Sequence, residues 1–363
     1  MDAPAETARP RWIKPAVIAA AGVAALAGAY TVYWHVMSRQ LETAFQDWLA
    51  QRRAEGVSIA LGRHAIDGFP KRLRLAIDRL DVVWPGRRPI RWQVPEVLAD
   101  AKPWRLDRVR VRLFGVQRVT EGEGPDAIVT DLVTKRLEAR VGLFRAGADL
   151  NVVAADFIAE RDGQRLAAAG RFDLDLVWRP LEGTNGKTSP LRFDLGADAA
   201  ELPAPWTMPF GRNVQTLRLG GHVMGPLPAG SLEKALKAWR DAGGTLEIQR
   251  LSGAIGPLRL ETKGTFALDG EMQPEGAFSA RAEGYLEAVE GLVDAGLMKP
   301  REGTAAKLVL TVLAKRPAGK TPYVETPLTL QDRVLSAGPL KLARVPRIDW
   351  QRAGQFVLPA VKP

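Results

Sequence analysis

Gly170-Arg-Phe-Asp-Leu-Asp-Leu-Val-Trp178 sets Phe172, Leu174, Leu176 and Trp178 against Arg171, Asp173 and Asp175. A period of two puts successive side chains on opposite faces of a strand, so this segment is apolar on one face and charged on the other. Clean alternation of that kind belongs to an antiparallel sheet with one wet face, because a strand buried on both sides reads as a continuous apolar run.

The same period recurs on both sides of the segment. Leu137 to Leu143, Asp149 to Ala155, Gln164 to Ala169 and Leu191 to Leu195 read as strands, with Glu182-Gly-Thr-Asn-Gly-Lys-Thr-Ser-Pro190 as a polar hairpin loop. Nearer the N-terminus, Val57, Ile59 and Leu61 alternate, as do Ile90, Trp92 and Val94, and Val109, Val111 and Leu113. After the turn-like Asp67-Gly-Phe-Pro70, Leu73, Leu75 and Ile77 alternate, and then the phase slips by one so that Leu80, Val82 and Trp84 carry the apolar face onward. Such a slip predicts a bulge or bend. Toward the C-terminus, strands are expected at Thr245 to Arg250, Gly256 to Thr262, Thr265 to Asp269 and Gly276 to Glu283. Thr326 to Leu330 and Gly338 to Leu342 read as a closing hairpin. Helices are predicted at Ser231 to Ala242, Tyr285 to Met298 and Ala305 to Leu313, the first capped by Ser231 and stopped by Gly243. The fold class is therefore mainly β (α+β): antiparallel curved sheets or meanders with a few packing helices. Pro203, Pro205 and Pro209 mark a boundary between a β-rich half over 57–202 and a second over 210–363.

Before the first strand, Ala16 to Val36 is an apolar run broken only by Thr31 and His35, flanked by Arg9, Arg11 and Lys14 and by Arg39. A helix of that length crosses a hydrocarbon core of about 30 Å, with Trp12 at one interface and Tyr30, Tyr33 and Trp34 at the other. The expectation is one N-terminal transmembrane helix at 16–36 behind a cytoplasmic tail at 1–15. The competing reading is a cleaved signal peptide ending at Ala27-Gly28-Ala29. Both readings send the remaining chain across the membrane and out of the cytoplasm. Leu41, Ala44, Phe45, Trp48 and Leu49 then follow at helical spacing up to Gly56, an amphipathic helix at 37–56 that docks on the domain or lies on the membrane.

Composition narrows the chemistry. The 363 residues include no cysteine, which excludes disulfides, thiolate catalysis and cysteine-bound metals. Of the net charge of +10, residues 1 to 120 hold 20 Lys and Arg against 11 Asp and Glu. A basic first third beside an anchor points to anionic lipid head groups, and a domain outside the cytoplasm meets no nucleic acid. Arg108, Arg110 and Arg112 share one strand face, a like-charge ladder that needs solvent, counter-charges or an anionic ligand opposite; they are the candidate head-group contacts. His35, His64 and His222 sit in no metal or catalytic motif, and pairs such as Asp173 with Asp175 or Asp78 with Asp81 read as solvation of an exposed face. No catalytic, cofactor or metal site is predicted. Strands with one wholly apolar face, bearing Trp84, Trp92, Phe172 and Trp178, form either a sealed core or a trough for acyl chains.

The anchor, Asp67-Gly-Phe-Pro70, the run from Gly256 to Asp269, Gln273-Pro-Glu-Gly276, and Ala337-Gly-Pro-Leu-Lys-Leu342 with Pro346 and Trp350 together resemble the domain of unknown function 2125 family. Where that family carries a Gly before the closing hairpin, this chain reads Gln331-Asp-Arg-Val. The resemblance implies a membrane-anchored bacterial envelope protein and supplies no activity, cofactor or catalytic residue. More distantly, the meanders resemble those of AsmA-like envelope proteins, which implies a lipid-handling groove. The function so indicated is non-enzymatic binding or guiding of lipid or another amphiphile. The alternative is an envelope scaffold that binds protein partners.

Overall fold

A computed structural model describes residues 13–86, 88–144, 147–179, 190–202, 211–226, 228, 230–319, 321–337, 340–348, 350 and 357–358. The loop expected at 182–190 falls, apart from Pro190, outside them, and so does the boundary at 203–210.

The described residues open with one continuous helix, α1 (Ile13–Ala54), ended by Gly56 at φ 88°. The apolar run and the amphipathic segment are thus one element. Its Leu41, Phe45 and Leu49 face inward, as their spacing requires, whereas Ala44 and Trp48 stay exposed. Among the described residues no helix is long and apolar enough to cross a membrane. The run expected to span is divided: Ile18 to Ala29 is exposed, but Trp34 is 5% exposed because it packs on the sheet.

Collinear β1 (Ser58–Leu61) and β2 (His64–Asp67) pair with β3 (Leu73–Trp84), which pairs with β4 (Ile90–Lys102). Next come β5 (Arg105–Phe114) with β6 (Gln117–Glu121), then β7 (Ile128–Val133) with β8 (Arg136–Phe144), each couple sharing one rung of the meander. The meander continues through β9 (Gly147–Arg161), β10 (Gln164–Trp178), β11 (Leu191–Glu201) and β12 (Asn213–Met224). A short β13 (Gly230–Ser231) and α2 (Leu232–Asp241) intervene before β14 (Thr245–Ile255), which pairs directly with β12. Then follow β15 (Leu258–Leu268), β16 (Pro274–Glu283), the helices α3 (Tyr285–Asp294) and α4 (Pro300–Leu313), and β17 (Tyr323–Gln331), β18 (Val334–Ala337) and β19 (Leu340–Arg344). Among the described residues these strands, β13 excepted, form one antiparallel 18-stranded sheet, while β20 (Val357–Leu358) pairs with β13 apart from it. Because β11 pairs with β12, the sheet runs through on both sides of the 203–210 stretch.

A transverse crease crosses the sheet at one level. Registers align Gly62 with Arg79, Arg79 with Pro95, Lys135 with Asp156, Asp156 with Gly170, and Gly170 with Ala199. Arg79, Gly115, Asp156 and Ala199 take positive φ on alternate rungs of that row, at 55°, 80°, 50° and 48°. Parity changes across two of them: Leu73, Leu75 and Ile77 are buried on one side of Arg79 and Val82 on the other, and Ala154 and Ala159 are buried on either side of Asp156. The bend expected from the phase slip at Leu80 is this crease. A glycine is required at its start, since a Cβ on Gly62 would lie 2.2 Å from the Asp78 carbonyl oxygen.

The crease also explains why some strands read from sequence are too short. Asp149 to Ala155 stops where Asp156 turns β9, and the segments on either side of Gly170 are one strand, β10. Likewise β15 runs through Gly264, whose missing Cβ leaves room for Phe278 of the next strand; a methyl there would lie 2.3 Å from the Phe278 Cβ. The closing hairpin is corrected. β17 turns into β18 through Asp332 and Arg333, both left-handed at φ 50° and 62°, and Leu340–Arg344 adds one strand further. Two left-handed central residues are the geometry of a two-residue hairpin, usually made with Gly. Strands β6, β7 and β12 were not legible in the alternation. The helix from Ser231 is confirmed as α2, with Ala235 and Trp239 buried.

Candidate functional site

Pairing places the apolar residues of successive strands in line. One row runs Ile66, Leu75, Ala99, Val111, Ala139, Val152, Leu174, Leu195, Leu219, Leu251 and on through Thr262 and Ala280 to Thr326. A second runs Val141, Leu150, Leu176, Phe193, Gly221, Ile248, Gly264, Phe278 and Leu328. One face of the sheet is therefore largely apolar from β2 to β17, interrupted by Thr262 and Thr326, as the alternation within single strands predicted.

Cover on that face is uneven. Two buried clusters lie beneath α1, one of Leu75, Ile77, Val94 and Val97 with Phe45 against it, the other of Leu49, Ile59 and Val82. Arg53 donates to the Ile59 carbonyl at 2.7 Å, and His64 meets Glu42 of α1 at 3.0 Å, so His64 fastens the helix to β2. Hydrogen bonds from Gln46 and His64 hold the Glu42 carboxyl below its ordinary range. Beyond α1, Val152, Leu174, Leu195, Leu219 and Leu251 are only half-buried. The other helices sit at strand ends: Trp239 of α2 donates to the Met224 carbonyl at 2.6 Å, α3 contacts β15 and α4 contacts β17.

The opposite face holds the candidate arginines. Arg112 binds Asp100 at 3.0 Å and Arg110 lies 3.5 Å from Glu138, so counter-charges answer two members of the ladder. Among the described residues Arg108 has only its neighbour Asp107 as a counter-charge, at 4.0 Å. Glu138 is buried, and Arg136 and Arg140 bind it at 2.8 and 2.7 Å. Burial alone raises its carboxyl, but the hydrogen bonds from Arg136 and Arg140, with Arg110 nearby, outweigh this and hold it below the ordinary range. Asp173 accepts from Arg171 and Asp175 from Asn151, and Asp78 faces Arg63 while Asp81 binds Arg91. Those carboxylate pairs are thus members of separate ion pairs and polar contacts. Among the described residues no three His, Asp or Glu come together to hold a metal ion. A shallow depression of about 690 Å³ over β14 to β17, lined by residues of both parities, among them Glu247, Lys263, Thr265, Ile248, Phe278 and Leu328, is open to solvent.

The motifs behind the family resemblance meet in space. Phe69 of the Asp67 to Pro70 turn stands edge-on to Trp34, with ring centroids 5.5 Å apart. Trp34 donates to the Arg72 carbonyl at 2.9 Å, Tyr33 to the Pro103 carbonyl at 2.8 Å and Tyr30 to the Pro70 carbonyl. At the far side, buried Gln273 both accepts from the Ile348 N–H at 2.8 Å and donates to its carbonyl, while Trp350 donates to the Met272 carbonyl at 2.6 Å. One motif cluster seats α1 and the other ties the segment after β19 to the turn before β16.

No curated protein and no solved structure matches the chain, and the likeness to AsmA-like proteins is not shown. Residues 34–346, from the tryptophan that seats α1 to just short of the segment Gln273 holds, match a family described as an uncharacterized protein conserved in bacteria, and the chain belongs to this domain of unknown function 2125 family.

Proposed function

We propose that this chain is a membrane-anchored bacterial envelope protein, its bulk on the periplasmic side, that binds or guides lipid or another amphiphile along the apolar face of its sheet. The observation that carries the reading is the row Val152, Leu174, Leu195, Leu219 and Leu251, apolar across consecutive strands and half-buried where α1 no longer covers it. An apolar stripe of that extent with solvent on it is costly unless a ligand or partner occupies it. The anchor is supported by the projecting start of α1, where Ile18, Val23 and Leu26 are 72%, 65% and 73% exposed. From Ile13 to Ala29 the helix rises about 25 Å, so the embedded part is shorter than the 16–36 reading by the turns that Tyr30, Tyr33 and Trp34 use for docking.

A photo-crosslinking residue at Leu195 or Leu219, in cells, tests the reading. Lipid adducts at these positions, and none from a crosslinker at Asp194 on the charged face, are the expected result. Adducts to proteins alone would overturn it in favour of a scaffold. One observation speaks for that second reading: α4 presents Leu308, Val309, Val312 and Leu313 to solvent, each more than half exposed.

A further inference from the structure

Two turns flank the point where α1 leaves the sheet. One is the Asp67 to Arg72 turn between β2 and β3, the other the Lys102 to Arg105 turn between β4 and β5, and Tyr30 and Tyr33 hold a carbonyl of each. Their tips expose large rings: Phe69 is 49% and Trp104 58% exposed. Beside the rings stand Lys71, Arg72, Lys102 and Arg105, all exposed. No carboxylate among the described residues pairs with any of these four, although Arg110, Arg112, Arg136 and Arg140 on the same strands or their neighbours all have one. Solvated cations next to exposed aromatic rings, at the foot of an exposed apolar helix, match the layering of a membrane interface: phosphates for the cations, the head-group boundary for the rings, hydrocarbon for the helix.

We infer that these two tips form a lipid-contacting foot, in which Phe69 and Trp104 enter the interfacial layer and Lys71, Arg72, Lys102 and Arg105 bind the phosphates of anionic lipids. The inference rests on the reading that α1 enters a membrane, and it assigns the head-group role to residues other than the Arg108, Arg110 and Arg112 ladder. The partner is a bilayer surface, because the cations and rings are continuous with the exposed helix through the Tyr30 and Tyr33 contacts. Seating by both tyrosines also fixes how far the tips stand from the helix.

The chain has no cysteine, so single cysteines report unambiguously. Spin labels at Trp104→Cys and Lys71→Cys in the full chain, reconstituted in phosphatidylcholine vesicles with or without phosphatidylglycerol, are read by collision with oxygen and with a water-soluble nickel chelate. Val23→Cys reports the anchor, and Gly163→Cys reports the opposite end of the sheet. The expected result is a severalfold loss of nickel accessibility at 71 and 104 when phosphatidylglycerol is added, reversed by high salt, with no change at 163. Lys71 is exposed, so its label stays informative if the Trp104 variant folds poorly. If Val23 lies in lipid while 71 and 104 stay as wet as 163, the foot is wrong and the anchor stands. Should Val23 itself prove water-accessible, both are overturned.

Discussion

The indole N–H of Trp34 and the carbonyl oxygen of Arg72 are 2.9 Å apart, and through them the helix is seated on the first turn of the sheet. Trp34 is the residue where burial begins on α1. Replacing it with Ala removes a buried ring and a hydrogen bond, a loss of about 3–5 kcal/mol. Trp34→Phe keeps most of the packing and is expected to cost about 1–2 kcal/mol. Thermal unfolding of the full chain in detergent micelles distinguishes the two; equal losses would show that the ring's packing does not seat the helix, and no loss from either that the hydrogen bond does not.

The hairpin between β17 and β18 uses Arg333 at φ 62°, where an L-residue is strained. Arg333→Gly is expected to stabilise the fold by about 1 kcal/mol, because the left-handed conformation costs roughly 1–2 kcal/mol and the entropic penalty of Gly returns part of it. Ala199→Gly at the crease follows the same logic with φ 48°. Glycine at Ala197, which is buried and has no positive φ, is the control and should destabilise. A fall in midpoint for both Arg333 and Ala199 variants would refute the strain.

Glu138 links stability to pH. Its carboxyl is held below the ordinary range in the native state, so its contribution is complete above the unfolded-state value and is lost as pH falls through the native one. Glu138→Gln leaves Arg110, Arg136 and Arg140 without their shared anion and should cost about 1–3 kcal/mol at neutral pH. Denaturant midpoints across a pH series should show the gap between wild type and variant closing in acid. A gap independent of pH would contradict the assignment.

Half-burial of the apolar row has a direct mechanical test. Leu73 at the start of β3 is fully buried, and Leu73→Ala should cost about 2–5 kcal/mol. Leu219→Ala removes a side chain from a face with solvent on it, and should cost about 1 kcal/mol by area alone. Comparable losses in chemical denaturation would mean that the row is sealed core.

The face of the sheet was legible in the chain because side-chain period survives any curvature: Phe172, Leu174 and Leu176 fall where alternation puts them. Strand ends were less legible. At Asp156 and Gly170 the parity changes inside a strand, and a parity change in sequence looks the same as a strand ending. The strand around Gly220 and Gly221 was missed because two adjacent glycines erase the alternation that marks it. The partners of Arg110 and Arg112 were out of reach for a different reason. Asp100 and Glu138 are set by registers of β4 and β8 with β5, which no local pattern encodes. The helix carried an apolar run that reads as a span in full, yet its last residues are spent on packing against two turns that lie far along the chain.

α1 lies beside β3 and runs the same way, from Trp34 at the Arg72 end to Leu49 at the Val82 end. A force applied to the N-terminal end of the helix is therefore directed along the strands. It loads the contact in shear, so the hydrogen bonds from Tyr33 and Trp34 and the packing of Phe45 and Leu49 all bear it together. A force directed across the strands at the other end, on β19, instead meets an antiparallel edge whose hydrogen bonds open one after another. The contacts of α1 thus share a load along the strands, whereas those of β19 meet one across them in turn.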